Sequence, residues 1–319
     1  MFVEKITSGQ TGLLLYGITP PKSETGSMQV GVIVEKTIER LIPLDLDALI
    51  VYDVQDESGR TPVRRPFPFI KAHDPFWFAR TYLGDLKVPK IIYRPAGKFS
   101  KQELTRWLDG LREYQFYPVF VGVPAPGDPV KTSLPEAYQL WSQHANHSVL
   151  GAVTIPERHS VLNDEVKRMT SKMEGGVSYF ISQCVFNLQY AKKLAEDLHF
   201  GCRQNNIKIP TIIFTLTACG SEKTLRFLEW LGVHIPEALK QEFKNADNML
   251  EKSVQVCLDI AMKLAEVCTS LSIPFGFNIE SVAIRKEEIE ASVYMLQEIA
   301  VMLQDMGIRT LSEAALPAI

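Results

Sequence analysis

Eight short apolar runs alternate with segments of helical periodicity along most of the chain, and this alternation limits the possible folds more than any other feature. The first run, residues 13–18, ends before Pro20 and Pro21, and residues 30–41 then carry apolar side chains at helical spacing. Seven more strands are predicted at 48–52, 90–93, 118–121, 149–153, 178–182, 211–216 and 275–279. Further helices are predicted at 75–84, 101–114, 134–144, 164–174, 188–204, 222–231, 248–271 and 286–306.

The repeated order of strand and helix indicates an α/β fold with a parallel sheet. Such a sheet either closes into a (β/α)8 barrel or stays open as a doubly wound sheet, and both give the same local pattern. The 319 residues, 46% of them hydrophobic, are enough for one large core. Ser100 and Asp164 are the predicted N-caps of two of the helices.

The composition excludes several classes of partner. A formal net charge of -3 and a pI of about 6.1 give no electrostatic reason to expect nucleic acid or an anionic membrane as a partner. The five cysteines are odd in number and have no CxxC spacing, which favours a reduced, cytoplasmic chain and indicates no metal site. The sequence shows neither a signal peptide nor an apolar segment of about 18 residues that could span a membrane. A small neutral or anionic ligand fits this composition better.

Polar residues that follow the predicted strands are the first candidates for a site, because chemistry in a barrel lies at the carboxyl ends of its strands. Gln183 interrupts an apolar strand, so its amide needs either a ligand or a partner in the core. Glu280 follows the apolar strand 275–279, which predicts a partly desolvated carboxyl with a raised pKa, suited to donating a proton. The alternative for Glu280 is a structural ion pair with a lysine or arginine. Asp53 and Gln55 follow the second strand.

Several other polar residues have a structural alternative. His159 directly follows the fifth strand, although a lone histidine is more often structural than catalytic. Lys172 lies near the end of a predicted helix, where an exposed lysine is the alternative. The irregular stretch 55–73 is long enough to be functional or mobile. Its arginines and nearby carboxylates are interpreted as solvated loop charges: Arg60, Arg64, Arg65, Asp56 and Glu57, together with Glu24 in the first loop.

Two segments resemble the methylenetetrahydrofolate reductase family: the strand end Ile181-Ser-Gln183 and the turn Gly232-Val-His-Ile-Pro236. The stretch Ile155-Pro-Glu-Arg-His-Ser160 is similar to the family's Tyr-Pro-Glu-x-His-Pro motif, with Ile155 and Ser160 as departures. Lys172, in Ser171-Lys-Met-Glu-Gly-Gly176, matches the lysine of a Lys-x-Asp-Ala-Gly-Ala segment that reaches flavin phosphate oxygens. With the count of eight strands, the resemblance favours an α/β fold formed by a single (β/α)8 TIM barrel domain over residues 1–319.

The departures from the family pattern concern charged residues. Conventional members read Phe-Glu-Phe-Phe-Pro-Pro at the first strand, and that glutamate is their general acid; here the stretch is Tyr16-Gly-Ile-Thr-Pro-Pro21, with Gly17 at the acid's position. A Leu-Arg-Gly-Asp segment after the fourth strand is replaced by Val121-Gly-Val123. Phe120-Val-Gly-Val-Pro124 and Glu280 instead resemble an unconventional branch of the family that works without tightly held flavin.

The resemblance implies NAD(P)H-dependent reduction of 5,10-methylenetetrahydrofolate to 5-methyltetrahydrofolate. Glu280 is the expected acid, Gln183 the expected anchor for the amide edge of the pterin, and Asp53 or Gln55 a second anchor. No Gly-x-Gly-x-x-Gly sequence is present, so NAD(P)H is expected in the barrel mouth rather than on a Rossmann turn.

The resemblance also implies cofactor-binding roles for four residues: His159, Glu157, Lys172 and Gly122. Bound FAD is doubtful because Gly17, Ile155 and Val123 replace residues that surround the flavin ring in conventional members. Two other functions stay open. The chain could be a folate-binding or methyltransferase-associated barrel without reductase activity, or an enzyme of another folate-linked reaction. A homo-oligomer or a methyltransferase is a possible partner.

Overall fold

The computed structural model describes residues 2–122, 127–144 and 148–310, and its strands form a closed barrel. All neighbouring strands are parallel and pair in chain order, and the eighth strand returns to the first. The strands are β1 Leu13–Ile18, β2 Ala48–Val51, β3 Lys90–Pro95, β4 Tyr117–Val121, β5 Leu150–Thr154, β6 Val177–Cys184, β7 Thr211–Thr217 and β8 Phe275–Glu280. Closure confirms the predicted (β/α)8 TIM barrel and excludes the doubly wound sheet. The single domain over residues 1–319 stays a prediction.

Helices surround the barrel. They are α1 Phe2–Ser8, α2 Ser27–Leu41, α3 Pro75–Tyr82, α4 Lys101–Tyr114, α5 Leu134–His144, α6 Pro156–Leu162, α7 Glu165–Glu174, α8 Leu188–Gln204, α9 Glu222–Trp230, α10 Glu237–Asn245, α11 Met249–Ser270 and α12 Lys286–Asp305. The sequence pattern missed α1, α6 and α10, which have only 7, 7 and 9 residues and so carry a weak periodic signal. None of the helices within the described ranges is long and apolar enough to cross a membrane.

The two predicted N-caps differ in the structure. Ser100 forms a complete capping box with Glu103 at the start of α4, as expected. Asp164 precedes α7, but its carboxylate accepts a hydrogen bond from Arg168 at 2.9 Å and caps no backbone N–H. The prediction for Asp164 is therefore wrong in its chemistry, because an arginine one turn later competes for the carboxylate.

Alternation along each strand separates two apolar layers. On β1, Leu13 and Leu15 belong to the cluster inside the barrel, whereas Leu14 and Tyr16 belong to the cluster under the helices. Helix α1 closes the amino-terminal end of the barrel, where the ring of Phe2 lies 5.6 Å from the ring of Tyr179. The carboxyl-terminal end has no such plug among the described residues, and it is open to the loops.

A buried ionic cluster joins the two chain ends at the amino-terminal rim. One carboxylate oxygen of Asp47 accepts hydrogen bonds from the Leu14 backbone N–H at 2.7 Å and from Arg309 at 2.6 Å. Lys5 donates to its other oxygen. Arg309 also donates to the Gly12 carbonyl at 3.0 Å. Because these groups are buried, each depends on the others for its hydrogen bonds.

We expect Asp47→Ala to destabilise the fold by about 3 kcal/mol, because it leaves a buried guanidinium and a buried N–H without their acceptor. Asp109→Ala, which removes an exposed ion pair with Arg112 on α4, should cost at most about 1 kcal/mol. Urea unfolding of the two variants and the parent protein measures both values. An Asp47→Ala unfolding midpoint equal to that of the parent would contradict the assigned role of the cluster.

Candidate functional site

A large cleft opens over the carboxyl ends of the strands. Its volume is about 2240 Å³, which is more than twice the roughly 1,000 Å³ at the upper end for ordinary ligand pockets. Gly17, Gln183 and Glu280 line it from the strand ends, and Asp53 and Gln55 line it from the loop after β2. The cleft is large enough to hold two ligands at once.

Glu280 ends the last strand and turns into the cleft. Its Oε1 accepts a hydrogen bond from the Cys184 thiol at 3.4 Å, and its Oε2 is buried without a partner. Burial raises the pKa of the Glu280 carboxyl, and hydrogen bonds from its neighbours oppose this effect only in part. No lysine or arginine in the part of the chain that the structure describes forms an ion pair with Glu280. The alternative interpretation of Glu280 as a member of a structural ion pair is therefore not supported. A raised pKa favours the protonated form of the carboxyl, which is the form that can donate a proton.

Gly17 lies directly beside Glu280, because the two residues are register partners in the pairing of β1 with β8. A Cβ atom on Gly17 would lie 2.7 Å from Cε2 of Tyr52 and 3.2 Å from Cβ of Glu280. The first contact is closer than carbon atoms approach in folded proteins. A side chain at position 17 is therefore excluded as long as Tyr52 and Glu280 keep their places.

Tyr52 forms the wall of the cleft next to Glu280. Its hydroxyl accepts a hydrogen bond from Nδ2 of Asn278 at 2.9 Å, and its ring packs edge-on against Tyr93 at 4.8 Å between centroids. Burial, together with the nearby Glu280 carboxyl, raises the pKa of the Tyr52 phenol well above its usual range. The sequence pattern marks Tyr52 only as the end of a predicted strand. That position, at the carboxyl end of a barrel strand, is the one sequence feature that indicates a place in the cleft.

Gln183 is held by the backbone and still reaches the cleft. Its Nε2 donates to the Leu231 carbonyl at 3.1 Å, and its Oε1 accepts from the Cys184 N–H at 3.4 Å. The pairing of β6 with β7 shifts register between Ile181 and Cys184, at this same point of the strand. One amide N–H and a carbonyl lone pair remain for a ligand, so the side chain is oriented without being fully satisfied.

Asp53 belongs to a chain of charged groups on the other side of the cleft. It accepts a hydrogen bond from Gln55 and lies 3.2 Å from Nη1 of Arg94, which also pairs with Asp74 at 2.8 Å. Burial raises the pKa of Asp53 to about 6; Arg94 opposes the rise and Asp74 adds to it. The carboxylate is ionised at neutral pH and can accept hydrogen bonds from a ligand.

His159 does not line the cleft with Gln183 and Glu280, although, like them, it lies near the carboxyl end of a strand in the sequence. Its ring is buried, and Nε2 lies 2.8 Å from the Asp197 carboxylate on α8. Glu157 is also turned away, because its Oε1 accepts from the His234 backbone N–H at 3.3 Å. The helix α6 that carries both residues was not predicted. It directs these side chains toward α8 and the 232–236 turn.

Lys172 lines the cleft, but its amino group is engaged by the protein. Nζ donates to the Val153 carbonyl at 2.6 Å and lies 6.0 Å from the centroid of the Phe180 ring. Burial lowers the pKa of Lys172. Gly122 lines the cleft beside open space and offers only backbone. Val123 and Pro124, which the sequence analysis also used, lie outside the described residues.

These positions do not fit a flavin clamp of the kind that the resemblance implies. Among the four expected cofactor-binding residues, His159 and Glu157 bind other parts of the protein and Lys172 binds a backbone carbonyl. No group of three or more potential metal ligands occurs among the described residues. The carboxyl groups of Glu280 and Asp53 and the amide of Gln183 are therefore the candidate groups for chemistry in the cleft.

Comparisons with known proteins point to one family. The family model for methylenetetrahydrofolate reductase matches residues 143–308, more than half of the chain. No curated protein matches the chain significantly. An uncharacterized protein from Clostridium thermocellum that binds two copies of 5-methyl-5,6,7,8-tetrahydrofolic acid is 40% identical, with a TM-score of 0.82 over 93% of this chain and 97% of that chain.

The likeness to other solved structures is weaker. A 2,3-dimethylmalate lyase covers 99% of this chain and 90% of its own, at 10% identity and a TM-score of 0.49, and no functional similarity follows from these values. The family match and the 40% identity over nearly the whole chain are of a different order. The chain belongs to the methylenetetrahydrofolate reductase family.

Proposed function

We propose that the protein reduces 5,10-methylenetetrahydrofolate to 5-methyltetrahydrofolate with NAD(P)H and without a tightly held flavin, and that Glu280 is its general acid. The observation that carries this proposal is the pair formed by Gly17 and Glu280 across β1 and β8. The acid that the family places on the first strand is absent. A buried carboxyl with a raised pKa stands directly beside the vacant position, on the neighbouring strand.

The acid step requires a carboxyl that is protonated near neutral pH. Proton transfer from Glu280 to N10 of the folate breaks the bond between N10 and the methylene carbon and leaves an iminium at N5. Hydride from the reduced nicotinamide then adds to that carbon, which becomes the methyl group, and NAD(P)+ is released. Glu280 regains its proton from solvent through the cleft. Tyr52 and Cys184 hold the carboxyl in place.

Three side chains would hold the pterin. The free N–H and the carbonyl of Gln183 match the donor and acceptor groups on the amide edge of the pterin ring. Asp53, supported by Gln55 and Arg94, would accept hydrogen bonds from the amino groups of the ring. Burial raises the pKa of both Asp53 and Glu280, but Asp53 has the Arg94 guanidinium beside it to favour its ionised form, whereas Glu280 has no such cation among the described residues.

Direct hydride transfer requires both ligands in the cleft at the same time. The volume of about 2240 Å³ supports this arrangement. The engagement of His159, Glu157 and Lys172 by the protein supports a reaction without flavin. With the nicotinamide and the folate bound side by side, hydride would pass directly between them instead of through a bound flavin.

A second candidate function is a folate-binding barrel without reductase activity. It is favoured by the similar Clostridium thermocellum protein, which binds two copies of 5-methyl-5,6,7,8-tetrahydrofolic acid. Absorbance of the purified protein in the flavin region and oxidation of NADH or NADPH with methylenetetrahydrofolate separate the two candidates. Binding without oxidation of either nucleotide would select the second. A homo-oligomer or a methyltransferase partner stays a prediction.

We expect Glu280→Gln to keep the fold and the affinity for 5-methyltetrahydrofolate, while turnover falls by about 10²- to 10⁴-fold. The amide keeps the shape and hydrogen bonding of the carboxyl but cannot supply a proton at neutral pH. Steady-state oxidation of NADH at saturating methylenetetrahydrofolate measures turnover, and titration with 5-methyltetrahydrofolate measures affinity.

Glu24→Gln is the matched control, because Glu24 is an exposed carboxylate in the loop after β1. Its turnover should equal that of the parent protein. Near-normal turnover in Glu280→Gln would overturn the role of Glu280 as acid. A variant that loses only affinity, with turnover intact at saturation, would instead make Glu280 a pterin anchor.

We expect the affinity for 5-methyltetrahydrofolate to rise with pH through about 6, because the pKa of Asp53 is about 6 and the ionised carboxylate is the form that accepts the ligand's hydrogen bonds. Below that pH, a ligand that binds only the ionised form loses affinity by up to about tenfold per pH unit. Asp53→Asn should abolish this step. Titration of the ligand itself is common to both proteins and cancels in the comparison.

Asp74→Asn provides a control that shifts the step without removing it. Asp74 shares Arg94 with Asp53 and raises the pKa of Asp53. Its neutralisation should therefore move the step to lower pH. Binding curves measured over the same pH range for all three proteins test this order. A step that persists in Asp53→Asn would show that another group titrates.

A further inference from the structure

The loop between β2 and α3, residues 54–73, crosses one side of the cleft, and we call it the strap. Near its end, Ala72 forms an antiparallel bridge with Lys22 in the loop after β1. In its middle, the Val63 carbonyl accepts a hydrogen bond from the indole N–H of Trp230 at 2.9 Å. Trp230 ends α9, which follows β7. The strap is thus held at two places, on both sides of β8.

Arg65 of the strap stacks on aromatic rings of α9. Its guanidinium carbon lies 5.1 Å from the centroid of Phe227, 5.3 Å from that of Trp230 and 5.7 Å from that of Phe69. The rings of Phe227 and Trp230 are nearly parallel, at 12°. Cation–π contacts of this kind fix the plane of a guanidinium. The sequence analysis had interpreted Arg65 as a solvated loop charge, and this interpretation is wrong.

The guanidinium of Arg65 lacks partners for its hydrogen bonds. Its Nε is buried without an acceptor, the side chain as a whole is half-buried, and no hydrogen bond or ion pair joins the guanidinium to another residue of the described ranges. Glu57 and Asp56 act on it only through their charge, and burial lowers the pKa of Arg65. A guanidinium has five N–H donors, and desolvating a cation without an acceptor is unfavourable. This environment indicates an acceptor that comes from outside the chain.

Arg65 lies on the same wall of the cleft as Gln183. Trp230, on which Arg65 stacks, is followed by Leu231, whose carbonyl orients the Gln183 amide. Both Arg65 and Gln183 line the cleft. A ligand whose ring is held at Gln183 can therefore place an anionic group against Arg65.

We propose that Arg65 binds the anionic group, a carboxylate or a phosphate, of a ligand in the cleft, and that the strap holds the guanidinium in position for it. The assignment rests on the proposed function for the identity of the ligands. The anion then has two possible sources: the glutamyl carboxylates of the folate, or the pyrophosphate of the nicotinamide dinucleotide. A planar guanidinium offers paired N–H donors to either group.

The test compares two pairs of ligands, and one member of each pair lacks the anionic group in question, together with the adenosine in the case of the nicotinamide pair. One pair is 5-methyltetrahydrofolate and 5-methyltetrahydropteroate, which lacks the glutamyl carboxylates. The other is NADH and reduced nicotinamide riboside, which lacks the phosphates. Dissociation constants are measured by calorimetry for the parent protein, Arg65→Gln, Arg65→Lys and Arg64→Gln. Arg64 is the matched control, because it is exposed and its substitution removes the same charge from the adjacent position.

In one of the pairs, Arg65→Gln should weaken the ligand that carries the glutamyl carboxylates or the phosphates by about tenfold or more, and should leave its counterpart without that group unchanged. Arg65→Lys should lose part of this affinity, because lysine keeps the charge without the planar set of donors. Arg64→Gln should change every value less than twofold. If Arg65→Gln does not fold, as judged by thermal unfolding, Arg65→Lys gives the same comparison.

The pair that responds identifies the source of the anion. Equal effects of the Arg65 substitutions on both members of both pairs would overturn the proposal, because the lost affinity would then not depend on the anionic group. A parent protein that binds neither 5-methyltetrahydrofolate nor NADH would overturn the proposed function itself. Failure of the two proposals is therefore distinguishable.

Discussion

The pairing of β8 with β1 closes the barrel, and the geometry of the site depends on it. Five register pairs join the two strands, from Leu13 with Gly276 to Gly17 with Glu280. The first pair requires glycine, because a Cβ on Gly276 would lie 2.6 Å from the Leu13 carbonyl oxygen. This close approach fixes the register, and the register fixes which side chains meet at the mouth. As a result, the carboxyl of Glu280 on the last strand lies beside Gly17 on the first strand.

The environment of a carboxyl, rather than its place in the sequence, decides its role in such a mouth. Glu280 has a thiol, a phenol and the hydrophobic interior around it and no cation, so burial dominates its pKa. Asp53 is buried beside Arg94, which opposes that effect. The proposed placement of the acid on β8 instead of β1 requires little change elsewhere. Gly17 removes one side chain, and the ring of Tyr52 fills the space that becomes free.

The strands, and the location of Gln183 and Glu280 at the barrel mouth, were predictable from sequence because both depend on local pattern. Apolar runs mark the strands, and a polar residue after such a run, as with Glu280, lies at the mouth of any parallel barrel. The orientation of His159 was not predictable, because it is set by Asp197 on a later helix and by a short helix with little periodic signal. Arg65 was misinterpreted for the same reason, since the rings it stacks on belong to a segment far along the chain.

Helix α9 connects the two parts of the cleft. Its last turn carries Trp230, which holds the strap through Val63 and supports Arg65, and the next residue, Leu231, orients Gln183. Phe227, one turn earlier, packs against both Arg65 and Phe67 of the strap. A displacement of this helix end would change the position of the amide and of the guanidinium together. The spacing between the proposed ring site at Gln183 and the proposed anion site at Arg65 is thus set by one helix end, which favours ligands of matching length.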